Sequence, residues 1–99
     1  MAFDYNILWT TESVNNLEAI LGFLITSRTS RETGDFINRL SKQLSVIQQN
    51  PYLFPISQNN SRLRKAVLGK QITVFYEVAG QIVYLIHLCN NTQDNEEIK

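Results

Sequence analysis

The sequence has little that could hold a fold together other than hydrophobic packing. It contains one cysteine, Cys89, and one histidine, His87, so it can form no internal disulfide and offers no cluster of metal ligands. No apolar run approaches the roughly 18 residues that span a bilayer, and residues 1–4 lack the basic start of a signal peptide. We therefore expect a cytoplasmic protein with no cofactor, no metal and no membrane partner.

Net charge is absent as well, although the charged residues are unevenly distributed. Nine Lys plus Arg balance nine Asp plus Glu in 99 residues, so overall basicity does not draw the protein to nucleic acid. Residues 28–70 nevertheless hold eight bases and two acids, whereas residues 1–27 hold three acids and no base. Any affinity for an anionic partner must therefore be local.

The length and a hydrophobic content of 43% predict one domain over residues 1–99.

Hydrophobic periodicity predicts that the chain begins with a strand and two helices. Large apolar side chains first alternate with other residues, and the Thr10-Thr11 pair that follows can cap a helix. Apolar residues then recur twice at helical spacing, and Asn50-Pro51 ends the second run. The predicted ranges are 3–9 for the strand, 11–27 for the first helix and about 30–49 for the second.

The second half of the chain predicts a loop and three strands. Both prolines lie in residues 51–61, which we interpret as a loop whose Tyr52, Leu53 and Phe54 tuck against the core. The apolar period then changes to two, which predicts antiparallel strands followed by a polar tail from about residue 90. These strands cover 62–68, 71–78 and 81–88, with turns at Gly69-Lys70 and Ala79-Gly80.

The predicted order of elements is strand, helix, helix, strand, strand, strand. Two helices on one face of a small sheet bury both apolar helix stripes. We therefore predict an α+β fold in which a two-helix hairpin packs on a small, mainly antiparallel four-stranded sheet.

Three residues with reactive side chains are interpreted as structural. A lone histidine on a strand, such as His87, is more often a hydrogen-bonded structural residue than a catalyst. Cys89 has no basic neighbour in the sequence to activate its thiol and is interpreted as a small buried hydrophobe. Tyr76 lies on the apolar side of its strand, so we predict that it packs in the core with its hydroxyl at the edge.

The densest chemical pattern is a group of basic residues. Arg62, Arg64, Lys65 and Lys70 lie within nine residues and have no acid among them. If residues 62 and 64 share one face of a strand, their guanidinium groups can bind a phosphate or a carboxylate together. The alternative is a solvated edge strand, whose charges prevent aggregation of sheets.

Two further bases lie on the second predicted helix. Arg39 and Lys42 are three residues apart, which places them on one exposed side of that helix. They form either a solvated helix face or a docking surface for a partner.

Several local patterns follow one another in a fixed order along almost the whole chain. They are an opening strand ending in Trp9-Thr10-Thr11, a helical hairpin, Asn50-Pro51 with Phe54-Pro55, Leu63-Arg64-Lys65 and Val74-Phe75-Tyr76-Glu77-Val78. In this order they resemble the RelE/ParE superfamily, the toxin halves of bacterial type II toxin-antitoxin modules. The resemblance implies growth inhibition, plasmid stabilisation and a hetero-oligomer with a cognate antitoxin, whose disordered segment folds over the toxin.

The two branches of the superfamily imply different targets. RelE-like toxins cut messenger RNA on the ribosome with basic side chains and no metal, and Arg62, Arg64 and Lys65 occupy their first basic positions, which makes them catalytic candidates. Thr73 and Thr92 stand where RelE-like enzymes carry phosphate-binding arginines, and a hydroxyl cannot supply that contact. The resemblance therefore implies a ParE-like toxin that acts on DNA gyrase by protein contact.

Two alternatives stay open. The first is a RelE-like, ribosome-dependent endoribonuclease whose partners are the ribosome and messenger RNA. The second is a degenerate, non-toxic family member that only binds its antitoxin. The candidate partner-binding residues are Arg62, Arg64, Lys65, Lys70, Arg39 and Lys42.

Overall fold

The computed structural model describes residues 5–27, 30–68 and 72–90 and contains the elements that the periodicity predicts. They are β1 (Asn6–Trp9), α1 (Thr11–Ser27), α2 (Ser30–Gln49), β2 (Arg64–Leu68), β3 (Ile72–Ala79) and β4 (Ile82–Asn90). The predicted α+β class and the order of elements are confirmed, and both helices have the predicted bounds. The predicted turn at residues 69–70 lies outside the described residues. No helix of the described part is long and apolar enough to cross a membrane.

The four strands form one mixed sheet in the order β1-β4-β3-β2. β1 pairs with β4 in parallel, and the other two pairs of neighbours are antiparallel, so the sheet is mainly antiparallel as predicted. β2 lies at one edge and β1 at the other. A β-bulge between Phe75 and Tyr76 interrupts the pairing of β3 with β4.

The prediction of a strand from residue 62 is wrong, because a turn precedes β2. The Asn60 side-chain oxygen accepts a hydrogen bond from the Arg62 amide at 3.0 Å, and the Asn60 carbonyl accepts one from the Leu63 amide at 3.0 Å. An asparagine side chain that bonds to the backbone two residues later is typical of such turns. Arg62 therefore lies before the strand, which begins at Arg64.

α1 is joined to β4 by polar side chains at its first turns. The Thr10 hydroxyl donates to the Leu85 carbonyl at 2.6 Å, and its oxygen also accepts from the Ser13 amide at 3.3 Å, which confirms Thr10 as the helix cap. One and a half turns later, the Asn16 side-chain oxygen accepts from the Leu88 amide at 3.1 Å. These bonds fix the orientation of α1 across the sheet.

The hydrophobic core lies between the two helices and one face of the sheet. Cross-strand partners share a face, so Val74 of β3 lies on the core side together with Ala66 and Leu88. The buried core residues are Ile20, Leu24, Phe36, Leu40, Ile47, Ala66, Leu68, Ile72, Val74, Tyr76, Val83, Leu85 and Leu88. The opposite face, which we call the open face, carries the cross-strand pairs Lys65 with Phe75 and Glu77 with Tyr84.

Candidate partner-binding site

Arg64 lies at the start of β2 and contacts the loop before that strand. One guanidinium nitrogen, Nη1, donates to the Phe54 carbonyl at 2.7 Å, and the guanidinium carbon lies 4.9 Å from the centre of the Tyr52 ring. This distance is within the range of a cation–π interaction. A second tyrosine, Tyr5, meets Tyr52 edge to face, with 6.4 Å between ring centres. Arg64 therefore holds the loop and cannot be a free surface charge.

Tyr76 lies directly opposite Arg64 in the register of β2 and β3 and is fully buried. Its hydroxyl donates to the Pro51 carbonyl at 2.6 Å, and its ring meets Phe54 edge to face. Burial raises the pKa of Tyr76 to about 12, and the charge of Arg64 opposes part of that rise. The prediction that Tyr76 belongs to the core is confirmed, but its hydroxyl is enclosed and does not reach an edge.

The loop before β2 is also paired to that strand through its backbone. Residue Ile56 forms an isolated antiparallel bridge with Arg64. Two further hydrogen bonds flank this bridge, from the Ser57 amide to the Leu63 carbonyl at 2.8 Å and from the Lys65 amide to the Pro55 carbonyl at 2.9 Å. The loop thus covers the first part of the outer edge of β2.

The prediction that Tyr52 and Leu53 tuck against the core is wrong, whereas Phe54 does pack against it. Tyr52 is 56% exposed and Leu53 is 60% exposed. Fixing the loop through Pro51, Phe54 and Pro55 leaves these two side chains directed to solvent. Tyr52 and Leu53 are therefore exposed residues that the sequence did not indicate as candidates for binding, although three large apolar residues in a row between two prolines are a visible signal in this segment.

The structure separates the three bases that the sequence placed together. Arg64 lies on the core side, and Lys65, opposite Phe75, lies on the open face. The side chain of Arg62 is 80% exposed, and its Nε lies 3.9 Å from the Glu77 carboxylate. The expected pair of guanidinium groups on one strand face is therefore wrong, because residue 62 is not in the strand.

Arg39 and Lys42 are exposed on α2. The neighbouring Gln43 donates from its side-chain amide to the Val67 carbonyl of β2 at 3.2 Å, so α2 runs beside this edge strand. The helix packs on the core side of the sheet, opposite to the face that carries Lys65. Lys70, the remaining member of the predicted group, lies outside the described residues.

Thr73 and Thr92 are the positions where basic residues were expected by resemblance. Thr73 lies in β3 and is buried, with 4% of its surface exposed. Its cross-strand partners are Val67 and Cys89. A buried threonine between two such neighbours carries no charge that could bind a phosphate. Thr92 lies outside the described residues.

His87 and Phe75 form a pair on the open face. Their ring centres are 4.6 Å apart and the ring planes are tilted by 33°. Both side chains, like that of Cys89, are half-buried. Within residues 5–27, 30–68 and 72–90, no three His, Cys, Asp or Glu side chains are placed to hold a metal ion.

Solved structures of toxin-antitoxin systems have this fold. A chain of the chromosomal ParDE TA system from P. aeruginosa matches with a TM-score of 0.75 and 13% identity, over 89% of this chain and 97% of that chain. A chain of the E. coli DinJ-YafQ toxin-antitoxin complex matches with a TM-score of 0.63 and 9% identity, over 91% and 96% of the two chains.

A third match is a copper-bound mutant toxin from Helicobacter pylori, with a TM-score of 0.57 and 10% identity over 90% of this chain and 97% of that chain. No protein-family model and no curated protein matches the sequence. At these identities the likeness is one of fold. The chain therefore shares its fold with chains of these toxin and toxin-antitoxin structures.

Proposed function

We propose that this chain is the toxin of a type II toxin-antitoxin pair, that a cognate antitoxin neutralises it, and that it acts in a ParE-like manner on DNA gyrase. The fold that it shares with chains of two toxin-antitoxin assemblies supports the general assignment. The whole of residues 1–99 would form the toxin domain. The directions of the basic side chains support the choice of branch.

The basic side chains that a RelE-like nuclease would use do not lie on one face of the sheet. Cleavage of RNA needs donors that surround one phosphate and stabilise the charge that develops there. Arg64 is engaged by the Phe54 carbonyl on the core side, and Lys65 lies on the open face. This divergence is the observation that carries the proposal, because side chains on opposite faces of a sheet cannot bind the same phosphate.

The exposed bases suit a protein partner with acidic residues. Lys65 and Arg62 near β2 and Arg39 and Lys42 of α2 are exposed, with Lys65 on the open face and α2 on the core side of the sheet. A disordered antitoxin segment that wraps around the edge formed by β2 would bring carboxylates to these cations and apolar residues to the surface between them. Lys70 is a further candidate from the sequence and lies outside the described residues.

One observation favours the RelE-like ribonuclease as a second candidate. Lys65 lies opposite Phe75 on the open face, and Phe75 in turn stacks with His87. An aromatic side chain beside a cation can bind a single-stranded base and its phosphate. The open face therefore offers a platform for RNA even though the arginines of this branch are missing.

The first test is to measure new DNA and new protein by pulse-labelling in bacteria during the first minutes after this chain is expressed alone. The proposal predicts that DNA synthesis falls first and that the purified protein inhibits supercoiling by DNA gyrase. If protein synthesis falls first and supercoiling is unchanged, the target is the ribosome. If neither falls, the chain is a non-toxic binder of its antitoxin.

Comparing the wild type with one variant of the open face distinguishes further between DNA gyrase and the ribosome as the target. Phe75→Leu removes the aromatic platform of the open face but keeps a large apolar residue. We expect this variant to inhibit DNA synthesis as strongly as the wild type. A loss of all toxicity in Phe75→Leu, with unchanged thermal stability, would instead support the ribonuclease.

A further inference from the structure

The loop between α2 and β2 exposes three large apolar side chains within five residues. Tyr52, Leu53 and Ile56 are between 50% and 60% exposed, and we call them the apolar loop surface. Single exposed apolar residues are common on soluble proteins and need no explanation, whereas a group of them marks a site of interaction.

The backbone under the apolar loop surface is fixed by bonds to the sheet. The Pro51 carbonyl accepts from Tyr76, and the Phe54 carbonyl accepts from Arg64. The Pro55 carbonyl accepts from the Lys65 amide of β2 at 2.9 Å. Three anchor points within five residues leave the loop little freedom. A partner that binds here loses little affinity to the ordering of this loop.

Two exposed cations lie next to the backbone of this loop, on the open-face side of the edge, whereas Ile56 pairs with Arg64 on the core side. Lys65 is exposed, and its own amide bonds to the carbonyl next to Ile56. The side chain of Arg62, 80% exposed, lies at the turn that precedes the same strand. Residues 36–76 contain no acid, and the acid that follows them, Glu77, lies 3.9 Å from the Arg62 Nε.

Other exposed apolar residues lie on the two helices of the hairpin and include Phe23, Ile25 and Ile37. The charges of α1 are different, since it carries Glu12 and Glu18 and no base. An acidic segment is therefore repelled where the hairpin is formed by α1. The charge distribution favours the loop over the α1 part of the hairpin for such a partner.

We infer that the apolar loop surface, with Arg62 and Lys65, is the docking surface for an acidic segment of the antitoxin that also carries apolar anchor residues. This inference rests on the proposed function and names the exposed apolar side chains that the antitoxin segment would contact. Arg64 is a positioning residue in this arrangement, because its guanidinium holds the loop that presents the surface.

The test compares two double variants that make the same chemical change. Leu53→Ser with Ile56→Ser removes two anchors of the loop, and Ile25→Ser with Ile37→Ser removes two exposed residues of the hairpin. All four side chains are exposed, so the melting temperatures of both variants should remain close to that of the wild type. The probe is the purified product of the open reading frame adjacent to the gene, titrated calorimetrically.

We expect the loop variant to bind this probe at least tenfold more weakly, about 1.4 kcal/mol, and the hairpin variant to bind like the wild type. Equal affinity of the loop variant and the wild type, or weakening of the hairpin variant alone, overturns the docking surface while the proposed function stands. A wild-type chain that does not bind the probe at all overturns the proposed function and the docking surface together.

A charge variant tests the same surface without removing apolar contacts. Arg62→Glu with Lys65→Glu should weaken binding, and added salt should weaken the wild type more than this variant. Arg31→Glu, which makes the same kind of change at an exposed base of α2, is the control. Equal losses in both variants would show a general charge effect and would contradict docking at the loop.

Discussion

The hydroxyl of Tyr76 donates a hydrogen bond of 2.6 Å to the carbonyl of Pro51, which lies 25 residues earlier in the chain. Both side chains are fully buried. The bond joins the segment that follows α2 to the middle of the sheet, and it does so at the start of the loop that bears the apolar loop surface. The position of that loop therefore depends on one buried polar contact.

Replacing Tyr76 by phenylalanine should destabilise the protein without changing its fold. The ring and its contact with Phe54 are kept, but the Pro51 carbonyl loses its donor inside the core. An unsatisfied buried acceptor costs about 1–3 kcal/mol, so we expect the free energy of unfolding in urea to fall by that amount.

Tyr52→Phe is the matched control, because it removes the same hydroxyl from an exposed ring. Its free energy of unfolding should stay within about 0.5 kcal/mol of the wild type. Equal stability of the Tyr76→Phe variant and the wild type would contradict the structural role given to the bond with Pro51.

The same hydroxyl predicts a loss of stability in alkaline solution. Burial raises the pKa of Tyr76 from 10.0 to about 12, so the folded state favours the neutral phenol. The stabilisation that comes from the neutral phenol is complete below the unfolded-state pKa of about 10. It is lost as the pH rises toward the folded-state pKa. From the size of the shift, the loss should reach about 2–3 kcal/mol.

The measurement for this pH dependence is the difference between wild type and Tyr76→Phe in urea unfolding, from about pH 8 to about pH 12. All other ionisable groups are common to both proteins and cancel in the difference. The wild type should lose its advantage over the variant as the pH rises. A difference that stays constant over this range would contradict the assignment.

The helices could be predicted from the sequence because their limits are set by local interactions. Thr10 caps α1 through an amide three residues away, and Pro51 disfavours the helical conformation at the residue that follows α2. The start of β2 was predicted two residues too early, since the turn at Asn60 depends on a side-chain bond that period-two alternation does not reveal.

The candidate site was less predictable, because the direction of each basic side chain depends on strand register. The charges of Arg62, Arg64 and Lys65 are visible in the sequence, but their separation follows from a strand that begins at residue 64. The position of the Tyr52 ring likewise depends on Arg64, a contact across 12 positions. No local pattern contains information on such contacts.

Replacing Thr10 by valine should weaken the attachment of α1 to the sheet. The hydroxyl donates to the carbonyls of Leu85 and Ile86, at 2.6 and 3.2 Å, and accepts from the Ser13 amide. The loss of a cap and of a bond to β4 should lower the free energy of unfolding by about 2 kcal/mol. Chemical denaturation measures this value.

Thr26→Val makes the same change at an exposed threonine near the end of α1, whose hydroxyl bonds within its own helix, to the carbonyls of Gly22 and Phe23. This control should change stability by less than about 0.5 kcal/mol. Similar losses in the two variants would mean that the bonds from Thr10 to β4 contribute nothing beyond helix propensity.

Replacing Arg64 by alanine should loosen the loop before β2 more than it lowers global stability. The variant loses the bond to the Phe54 carbonyl and the contact with the Tyr52 ring, together about 1–2 kcal/mol. The Lys65 amide, which donates to the Pro55 carbonyl, reports on the loop directly. We expect its hydrogen exchange to accelerate at least about tenfold in Arg64→Ala, whereas amides in the centre of β3 exchange at nearly wild-type rates.

Arg62→Ala is the control for this last prediction, since it removes a base two residues away that is 80% exposed and meets Glu77 only at 3.9 Å. An exposed ion pair of this length contributes little, so the exchange of the Lys65 amide should remain as in the wild type. If Arg62→Ala accelerated this exchange as much as Arg64→Ala, the loop would be held by the overall charge. If neither did, the backbone pairing of the loop with β2 would suffice, and Arg64 would be available to contact a partner directly.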